Sequence, residues 1–329
     1  MHKLTGIALV IFAALNPADG KEAMEGTGHI DYYGYEDNIY LENDHTRVIL
    51  NVHGGRVLEY AYKGTNAIYL APGEEGWTAA QEEPWAGPTG GRLDIGPENV
   101  IPAHPTLWLG EWSGEIVGPR MARLTSQPDT ATGTQLIREF SLDAQTSRLF
   151  CKQIIKNVSD QTTEWCHWSR TFAPGNGIVL IPLSPNSRFP DSYIMYGPDA
   201  AMNFHPGDPN IRQRDGFLEV LNTPLRPKLG MDSTAGWFAY LMENDLMFVK
   251  RYATFPDQVY NEMAGLTISI WYYKDQMCEL EPIGPRQRLA PGQWAEFTEE
   301  WWLIPQDFPQ DRQVDLKAVE ELVQTTTRP

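Results

Sequence analysis

The chain is divided into short runs rich in β-branched and aromatic residues, and Gly, Pro, Asn or Asp residues separate these runs. Residues 46–52, 134–142 and 246–252 are typical of them. Because the runs follow one another without helical periodicity between them, they predict a sandwich or a barrel rather than a βαβ sheet. One short helix is predicted at residues 316–324, where Asp315 can cap the first turn and the apolar residues lie near one face. We therefore expect an all-β fold, a large antiparallel β-sandwich with a short C-terminal helix.

The first 20 residues have the pattern of a secretory signal peptide. A weakly cationic start precedes an uncharged run at residues 4–15, and the small residues Ala18 and Gly20 follow it. That run is about a dozen residues long, whereas a helix that spans a bilayer needs roughly 20. A buried N-terminal strand or helix is the alternative interpretation. We predict that residues 1–20 are removed, that residues 21–329 form a single domain, and that the mature protein is secreted or periplasmic, without a membrane partner.

The formal net charge of −17 bears on the partners of the chain. So acidic a surface repels phosphate backbones and anionic lipids, which makes nucleic acids and membrane surfaces poor partners. The sequence contains no G-x-S-x-G, Walker-type, H-E-x-x-H or paired C-x-x-C motif, and its seven histidines are scattered. No metal and no cofactor is therefore predicted.

The three cysteines do not have the spacing of a metal site. Cys151 and Cys166 flank a turn signal at residues 157–160, so the runs on either side are candidates for a hairpin in which the two thiols face each other. A disulfide and two free buried cysteines are both compatible with the sequence, because it does not determine the strand register. Cys278 is left unpaired in either case.

Two long segments, residues 73–105 and 182–227, interrupt the strand pattern and contain many prolines. Loops of this length are usually functional or disordered, and their aromatic residues argue against disorder. We expect both segments to form the walls of a cleft at one side of the sandwich. The tryptophans in or near loops are cleft candidates, namely Trp77, Trp85, Trp108 and Trp112. Those in strand-like runs are expected in the core, namely Trp237, Trp271, Trp301 and Trp302.

Four stretches, in order along the chain, resemble the galactose mutarotase-like superfamily. They are a hairpin with a glycine pair at residues 49–66, a glycine-rich stretch with a downstream histidine at residues 90–112, an Asn-x-Ser-Asp turn that leads to a second histidine at residues 156–168, and a Glu-Pro strand before a Leu-x-Pro-Gly turn at residues 278–293. The resemblance spans residues 38–303 and implies a sandwich that holds a sugar. More narrowly, the chain resembles an uncharacterised bacterial branch, the DUF4380-like proteins.

The resemblance also implies roles for individual residues. Aldose 1-epimerases of this superfamily move protons on the anomeric hydroxyl and the ring oxygen, and a carboxylate with a histidine suits that chemistry near pH 7. By resemblance, Glu281 is the base, His167 the acid, His104 a second imidazole and Arg92 a group that binds a hydroxyl. Glu279 shares a strand face with Glu281 and is the second candidate for the base.

Each of these residues also has a structural interpretation. Glu281 can be an exposed carboxylate at a strand end, and His167 can be a histidine of the core. His104 can be a solvated loop residue, and Arg92 can pair with Asp94 or Glu98. On strand alternation His167 and Arg170 lie on opposite faces, so Arg170 is an alternative cleft residue.

The leading hypothesis is a carbohydrate-active protein that performs aldose 1-epimerase-like acid–base chemistry on a small sugar or an oligosaccharide. Pro105 after His104, and Trp168 after His167, depart from the pattern of the aldose epimerases and are compatible with a changed sugar or with lost catalysis. A non-catalytic sugar-binding protein, and an enzyme like a polysaccharide lyase or a hydrolase, are the alternatives. Substrate binding is assigned to Arg92, Trp108, Trp85, Arg170 and Asp232.

Overall fold

The computed structural model describes residues 24–80, 87, 89–197 and 201–327. The predicted signal peptide at residues 1–20 and Trp85 lie outside these residues. The described chain folds into strands, with a short helix α1 (Pro105–Trp108) and a longer C-terminal helix α2 (Leu316–Thr326). The strands are β1 (Thr27–Tyr32), β2 (Tyr35–Glu42), β3 (Thr46–Asn51), β4 (Arg56–Tyr62), β5 (Thr65–Asn66), β6 (Gly91–Gly96), β7 (Ser113–Gly118), β8 (Met121–Thr125), β9 (Thr134–Leu142), β10 (Leu149–Asn157), β11 (Thr163–Pro174), β12 (Ile178–Pro182), β13 (Ile194–Tyr196), β14 (Met202–Asn203), β15 (Ile211–Arg214), β16 (Phe217–Val220), β17 (Lys228–Met231), β18 (Trp237–Met242), β19 (Leu246–Tyr252), β20 (Ile268–Tyr273), β21 (Met277–Pro282), β22 (Gln287–Leu289) and β23 (Trp294–Pro305).

The strands form two large antiparallel sheets, which confirms the predicted β-sandwich. Sheet 1 has 13 strands in the order β1-β2-β3-β4-β6-β11-β21-β20-β17-β13-β14, with β5 paired to β4 and β22 paired to β11. Sheet 2 has ten strands in the order β15-β16-β12-β18-β19-β23-β10-β9-β8-β7. The main hydrophobic core takes side chains from both sheets, so it lies between them.

Alternation of apolar and polar residues explains the strands of sheet 2. In β9 every second side chain from Thr134 to Leu142 is buried and those between are half-buried, as a strand with one face on a core requires. The predicted C-terminal helix is confirmed, because the Asp315 carboxylate accepts a hydrogen bond of 3.1 Å from the backbone N–H of Ala318. Leu316, Val319 and Val323 then pack with residues of β12, β18, β19 and β23, so α2 covers the outer face of sheet 2.

A buried ion pair between the sheets determines which side chains of β11 point inward. The Lys250 ammonium of β19 lies 3.0 Å from a carboxylate oxygen of Glu299 on β23, and both side chains are fully buried. The same ammonium reaches across to the hydroxyls of Ser169 and Thr171 on β11, at 3.1 and 2.7 Å. Odd-numbered residues of this part of β11 therefore point into the sandwich, and even-numbered residues point to the outer face of sheet 1.

The outer face of sheet 1 is covered by loops at its centre. Strands β6 and β21 are buried along their whole length, so both of their faces are shielded from solvent. The cover is apolar at one point, where side chains of β11 and β13 pack against residues of three connecting segments. This small cluster consists of Cys166, Trp168, Phe189, Ile194, Leu266 and Ile283.

Two interpretations of the sequence are wrong, the hairpin and the loop character of the two long segments, and the open question of the cysteines is decided in favour of free thiols. Strands β10 and β11 do not form a hairpin, because β10 pairs with β9 and β23 in sheet 2 while β11 pairs with strands of sheet 1. Cys151, Cys166 and Cys278 are consequently free and buried. The segment 182–227 contains four short strands, β13 to β16, and the segment 73–105 contains the central strand β6.

Candidate functional site

A group of charged and aromatic side chains lies on the outer face of three adjacent strands of sheet 1. Strand β6 contributes Asp94, β11 contributes Trp168 and Arg170, and β21 contributes Glu279 and Glu281. In the sheet register Trp168 is directly opposite Asp94, and Phe172 is directly opposite Glu279, so these side chains share one face. We call these five residues the central site.

Arg170 forms the ion pair at the middle of the central site. Its Nε donates a hydrogen bond of 2.7 Å to Oε1 of Glu279, and a terminal nitrogen lies 3.7 Å from Oδ2 of Asp94. The guanidinium also lies over the rings of Trp108 and Trp168, at 4.6 and 4.7 Å. Burial lowers the pKa of Arg170, but the carboxylates of Glu279 and Glu281 outweigh it and raise that pKa. Arg170 is thus a fixed cation, and the alternative in which it is the cleft residue fits its position.

Glu281 is fully buried, and one of its two carboxyl oxygens lacks a hydrogen bond from the described residues. The indole N–H of Trp168 donates a hydrogen bond of 2.6 Å to Oε2, whereas Oε1 has no hydrogen-bond partner among the described residues. Burial, followed by the charge of Glu279, raises the pKa of Glu281 to about 8. At pH 7 this carboxyl is mostly protonated, so it can donate a proton from the resting state. The exposed strand-end interpretation is excluded by its burial.

Four further residues border Glu281 on the side of β17. The Lys228 ammonium lies 2.7 Å from a carboxylate oxygen of Glu98 and about 5 Å from the ring centres of Trp168 and Tyr196. Glu262 is almost completely buried, and burial raises its pKa to about 7. The Tyr196 hydroxyl and Oε1 of Glu262 have no hydrogen-bond partner among the described residues. Unpaired polar atoms in a buried setting are costly, which marks this side of the site as a place for a polar ligand.

A cleft of about 360 Å³ opens beside Arg170 and Asp94, and His104 lies in its wall. The Nε2 atom of His104 is 2.8 Å from Oδ1 of Asp94, and Nδ1 is 2.7 Å from the backbone oxygen of Pro102. Burial lowers the pKa of His104, but the hydrogen bond and charge of Asp94 outweigh it and raise that pKa. His104 is therefore held in place with both ring nitrogens engaged, rather than solvated.

Arg92 supports the cleft from below instead of lining it. The side chain is buried, donates a hydrogen bond of 2.7 Å to the backbone oxygen of Trp108, and lies 4.4 Å from the centre of the Trp108 ring. Burial lowers its pKa well below the ordinary value. Trp108 lines the cleft as expected, and both Arg92 and Arg170 lie over its ring.

The structure does not bring His167 and Glu281 together. His167 points into the sandwich, is fully buried and stacks on Phe297 with 5.7 Å between ring centres. Burial lowers its pKa to about 4, so the ring is neutral at pH 7. Strand alternation gives the physical reason. Odd-numbered residues of this part of β11, such as His167, point into the sandwich, whereas even-numbered residues, such as Arg170, point to the outer face of sheet 1. The placement of His167 matches the core histidine that the sequence left open as an alternative.

Asp232 lies at a different pocket, of about 560 Å³, which Arg188 and Tyr260 also line. Its carboxylate accepts hydrogen bonds of 2.7 Å from the Ser187 hydroxyl and from the backbone N–H of Arg188. Asp232 thus orders the loop after β12 and does not reach the central site.

The tryptophans divide differently from the expectation. Trp77 and Trp112 are buried, and Trp271 lines a surface pocket instead of the core. Trp237, Trp301 and Trp302 are buried as predicted. Trp85 lies outside the described residues.

Sequence reasoning missed Lys228, Tyr196 and Glu262, and it considered Asp94 merely as a partner for Arg92. Tyr196 lies in a segment that we interpreted as a loop, and Lys228 directly follows it, so no alternation marked a face for either. Asp94 lies in β6, a short strand between glycines in a segment that we interpreted as a loop. No described His, Cys, Asp or Glu residues form a group of three or more that could hold a metal ion. No helix among the described residues has the length and apolar character that a membrane span requires.

The two large antiparallel sheets define the class of this protein as an all-β sandwich. The chain has the galactose mutarotase-like fold, as the sequence resemblance implied. No family model and no curated protein matches the sequence, so the narrower DUF4380-like assignment remains a prediction.

The similar solved structures share this fold at low sequence identity. A putative aldose 1-epimerase from Escherichia coli K12 has 13% identity and a TM-score of 0.55, over 80% of this chain and 98% of that chain. A galactose mutarotase-like protein from Lactobacillus casei has 10% identity and a TM-score of 0.55, over 81% and 100%. The Slr1438 protein from Synechocystis has 14% identity and a TM-score of 0.57, over 85% and 100%.

Proposed function

We propose that this protein binds a sugar at the central site and the adjoining cleft, and moves protons on it in an aldose 1-epimerase-like reaction. The observation that carries the proposal is the carboxyl of Glu281, which is buried, mostly protonated at pH 7 and has one unpartnered oxygen. Perturbed carboxyl groups of this kind concentrate at catalytic sites. The names of the E. coli and L. casei structures, which share the fold, support a sugar as the ligand.

The raised pKa of Glu281 favours this residue as the acid of the resting enzyme rather than the base that the resemblance implied. In its protonated form Glu281 gives its proton to the ring oxygen while a second carboxylate takes the proton of the anomeric hydroxyl. The bond between C1 and the ring oxygen breaks, the aldehyde rotates, and the ring closes with the two proton transfers reversed. Glu262 is the candidate for the second group, because its pKa of about 7 leaves a large ionised fraction at neutral pH. The positive charges of Arg170 and Lys228 offset the negative charges of the carboxylates around them.

The test is exchange NMR of α and β anomers of D-glucose, D-galactose and L-arabinose with catalytic amounts of protein. Replacement of Glu281 by Gln should lower the exchange rate by about 100-fold or more, the usual contribution of a general acid. Glu320→Gln is the matched control, because Glu320 is exposed on α2 beyond the outer face of sheet 2. An acceleration that Glu281→Gln leaves unchanged would refute the role of Glu281.

A non-catalytic sugar-binding protein is the second candidate, and one observation favours it. Neither predicted histidine presents a free ring nitrogen to the central site, because His104 is bonded at both nitrogens and His167 faces the sandwich interior. On this alternative the sugars bind, as measured by calorimetry, while anomer exchange keeps its uncatalysed rate. That pair of results would exclude the epimerase proposal and establish the binder.

We further propose that residues 1–20 direct export of a single domain, residues 21–329, to the periplasm or the medium. The support is the uncharged run and the small residues that follow it. N-terminal sequencing of the protein recovered from the periplasmic and secreted fractions should begin at residue 21. A protein that keeps Met1 and stays in the cytosolic fraction would contradict export.

A further inference from the structure

A second pocket, of about 650 Å³, opens on the same outer face of sheet 1. Its volume lies within the range of about 300–1,000 Å³ that is typical of small-molecule sites. Three aromatic side chains line it together with a carboxylate and an amide, namely Tyr69, Trp271, Tyr273, Glu74 and Gln276. We call these five residues the aromatic pocket.

The sheet register makes the aromatic pocket a neighbour of the central site. Trp271 on β20 lies directly opposite Glu279 on β21 and directly opposite Lys228 on β17. Side chains of directly opposed residues share a face, with their Cβ atoms about 4.5–5.5 Å apart. The backbone N–H of Tyr69 donates a hydrogen bond of 2.8 Å to the backbone oxygen of Phe172, which places the other wall of the pocket beside β11. Trp271 therefore stands between the aromatic pocket and the charged groups of the central site.

The side chains of the pocket suit a sugar ring. The rings of Trp271 and Tyr273 are adjacent, with 6.0 Å between their centres, and Tyr273 is 40% exposed. A pyranose has an apolar C–H face that packs on such rings and hydroxyls at its edge that bond to carboxylate and amide groups. Glu74 is held by a hydrogen bond of 2.8 Å from the Thr89 hydroxyl. With a carboxylate and no described cation in its lining, the pocket disfavours phosphorylated or acidic sugars.

We infer that the cleft beside Arg170 and the aromatic pocket act as one extended cleft that binds a neutral oligosaccharide. One sugar unit lies beside Arg170, next to the buried carboxyls of the central site, and the next unit stacks on Trp271 and Tyr273. The inference deepens the proposed function and rests on it for the first unit. It also explains why a tryptophan in a strongly apolar strand is kept at the surface, where burial in the core was expected.

Calorimetric titration of sugars of increasing length tests the inference. The probes are D-glucose, cellobiose and cellotriose, and D-galactose with β-1,4-galactobiose. The disaccharides should bind the wild-type protein at least about 10-fold more tightly than their monosaccharides, since the second unit adds aromatic contacts. In Tyr273→Ala and in Trp271→Phe this ratio should fall toward 1. Trp294→Ala is the matched control, because Trp294 is 61% exposed on β23 of sheet 2, and it should keep the full ratio.

The outcomes separate this inference from the proposed function. Equal affinity for monosaccharides and their oligomers would overturn the extended cleft and leave sugar binding at the central site standing. A gain with length that both pocket variants retain would also overturn it, because the second unit would then lie elsewhere. If neither the monosaccharides nor their oligomers bind, the proposed function and the inference fail together. Tyr273 is partly exposed, so thermal melting of Tyr273→Ala should stay close to that of wild type and confirm that the variant is folded.

Discussion

Because of His167, the wild-type protein should lose stability as the pH falls. A variant with phenylalanine at this position should not show that loss, because its ring cannot bind a proton. Burial lowers the pKa of His167 to about 4 from 6.5, so the folded state keeps the ring neutral while the unfolded chain binds a proton below pH 6.5. The unfolded state therefore holds more protons in this window, and stability is present above pH 6.5 and lost as pH falls toward 4. Each pH unit in the window costs about 1.4 kcal/mol, which gives a loss of about 2 kcal/mol at pH 5 and about 3 kcal/mol at pH 4.

The assay compares urea unfolding of wild type and His167→Phe at pH 7.5, 6 and 5. Phenylalanine keeps a ring on Phe297, and any cost of its larger size is the same at each pH. The free energy of unfolding of the variant, minus that of wild type, should therefore shift by about 2 kcal/mol in favour of the variant between pH 7.5 and 5.

Two results would refute this reasoning. A difference between the two proteins that stays constant with pH would mean that His167 is not held neutral by burial. Loss of anomer exchange in a folded His167→Phe would mean that the residue serves the sugar after all, in spite of its position between the sheets.

Three further predictions follow from the site and the core. Anomer exchange should rise as Glu262 ionises near pH 7 and fall as Glu281 loses its proton near pH 8, and exchange NMR from pH 6 to 9 would show a rate that keeps rising through pH 8 if Glu281 were the resting base. Lys250→Met should cost about 3–5 kcal/mol in urea unfolding, since it leaves Glu299 charged and unpaired, and adding Glu299→Gln should recover much of that loss; equal losses in both variants would contradict the ion pair. Asp315→Ala should cost about 1 kcal/mol through loss of the α2 cap, whereas Glu320→Ala should leave thermal unfolding unchanged, and no difference between the two would exclude the cap.

The fold was predictable wherever one face of an element packs on the core. In β9 and β10 alternation marks the buried face, and in α2 the capping aspartate and the apolar stripe mark both the start and the packing side. Strand β6 was missed although Arg92 to Ile95 alternate between polar and apolar residues, because the run is short, glycines flank it, and it lies in a segment that we interpreted as a loop. The prediction of a hairpin between β10 and β11 was wrong, because the chain passes from sheet 2 to sheet 1 at residues 157–160. A turn signal in the sequence does not distinguish such a crossing from a hairpin.

The candidate site was predictable in part. Strand alternation correctly placed His167 and Arg170 on opposite faces, whereas the resemblance alone paired His167 with Glu281. The neighbours of Glu281 could not be found from sequence, because Lys228, Glu262 and Tyr196 reach it across strands and loops that are distant along the chain. Cross-strand pairing is a tertiary property, and it also moved Trp271 from the expected core to the edge of the site.

The three strands of the central site come from residues 91–96, 163–174 and 277–282, and this separation has a thermodynamic consequence. Global unfolding pulls the three strands apart, so a ligand of the site binds the native state and has no counterpart in the unfolded chain. Such a ligand stabilises the whole protein by about 2.7 kcal/mol at a concentration 100 times its dissociation constant. The melting temperature of the intact protein is therefore a direct detector of occupancy, and a panel of neutral sugars ranked by their thermal shift would identify the natural ligand without any assay of chemistry.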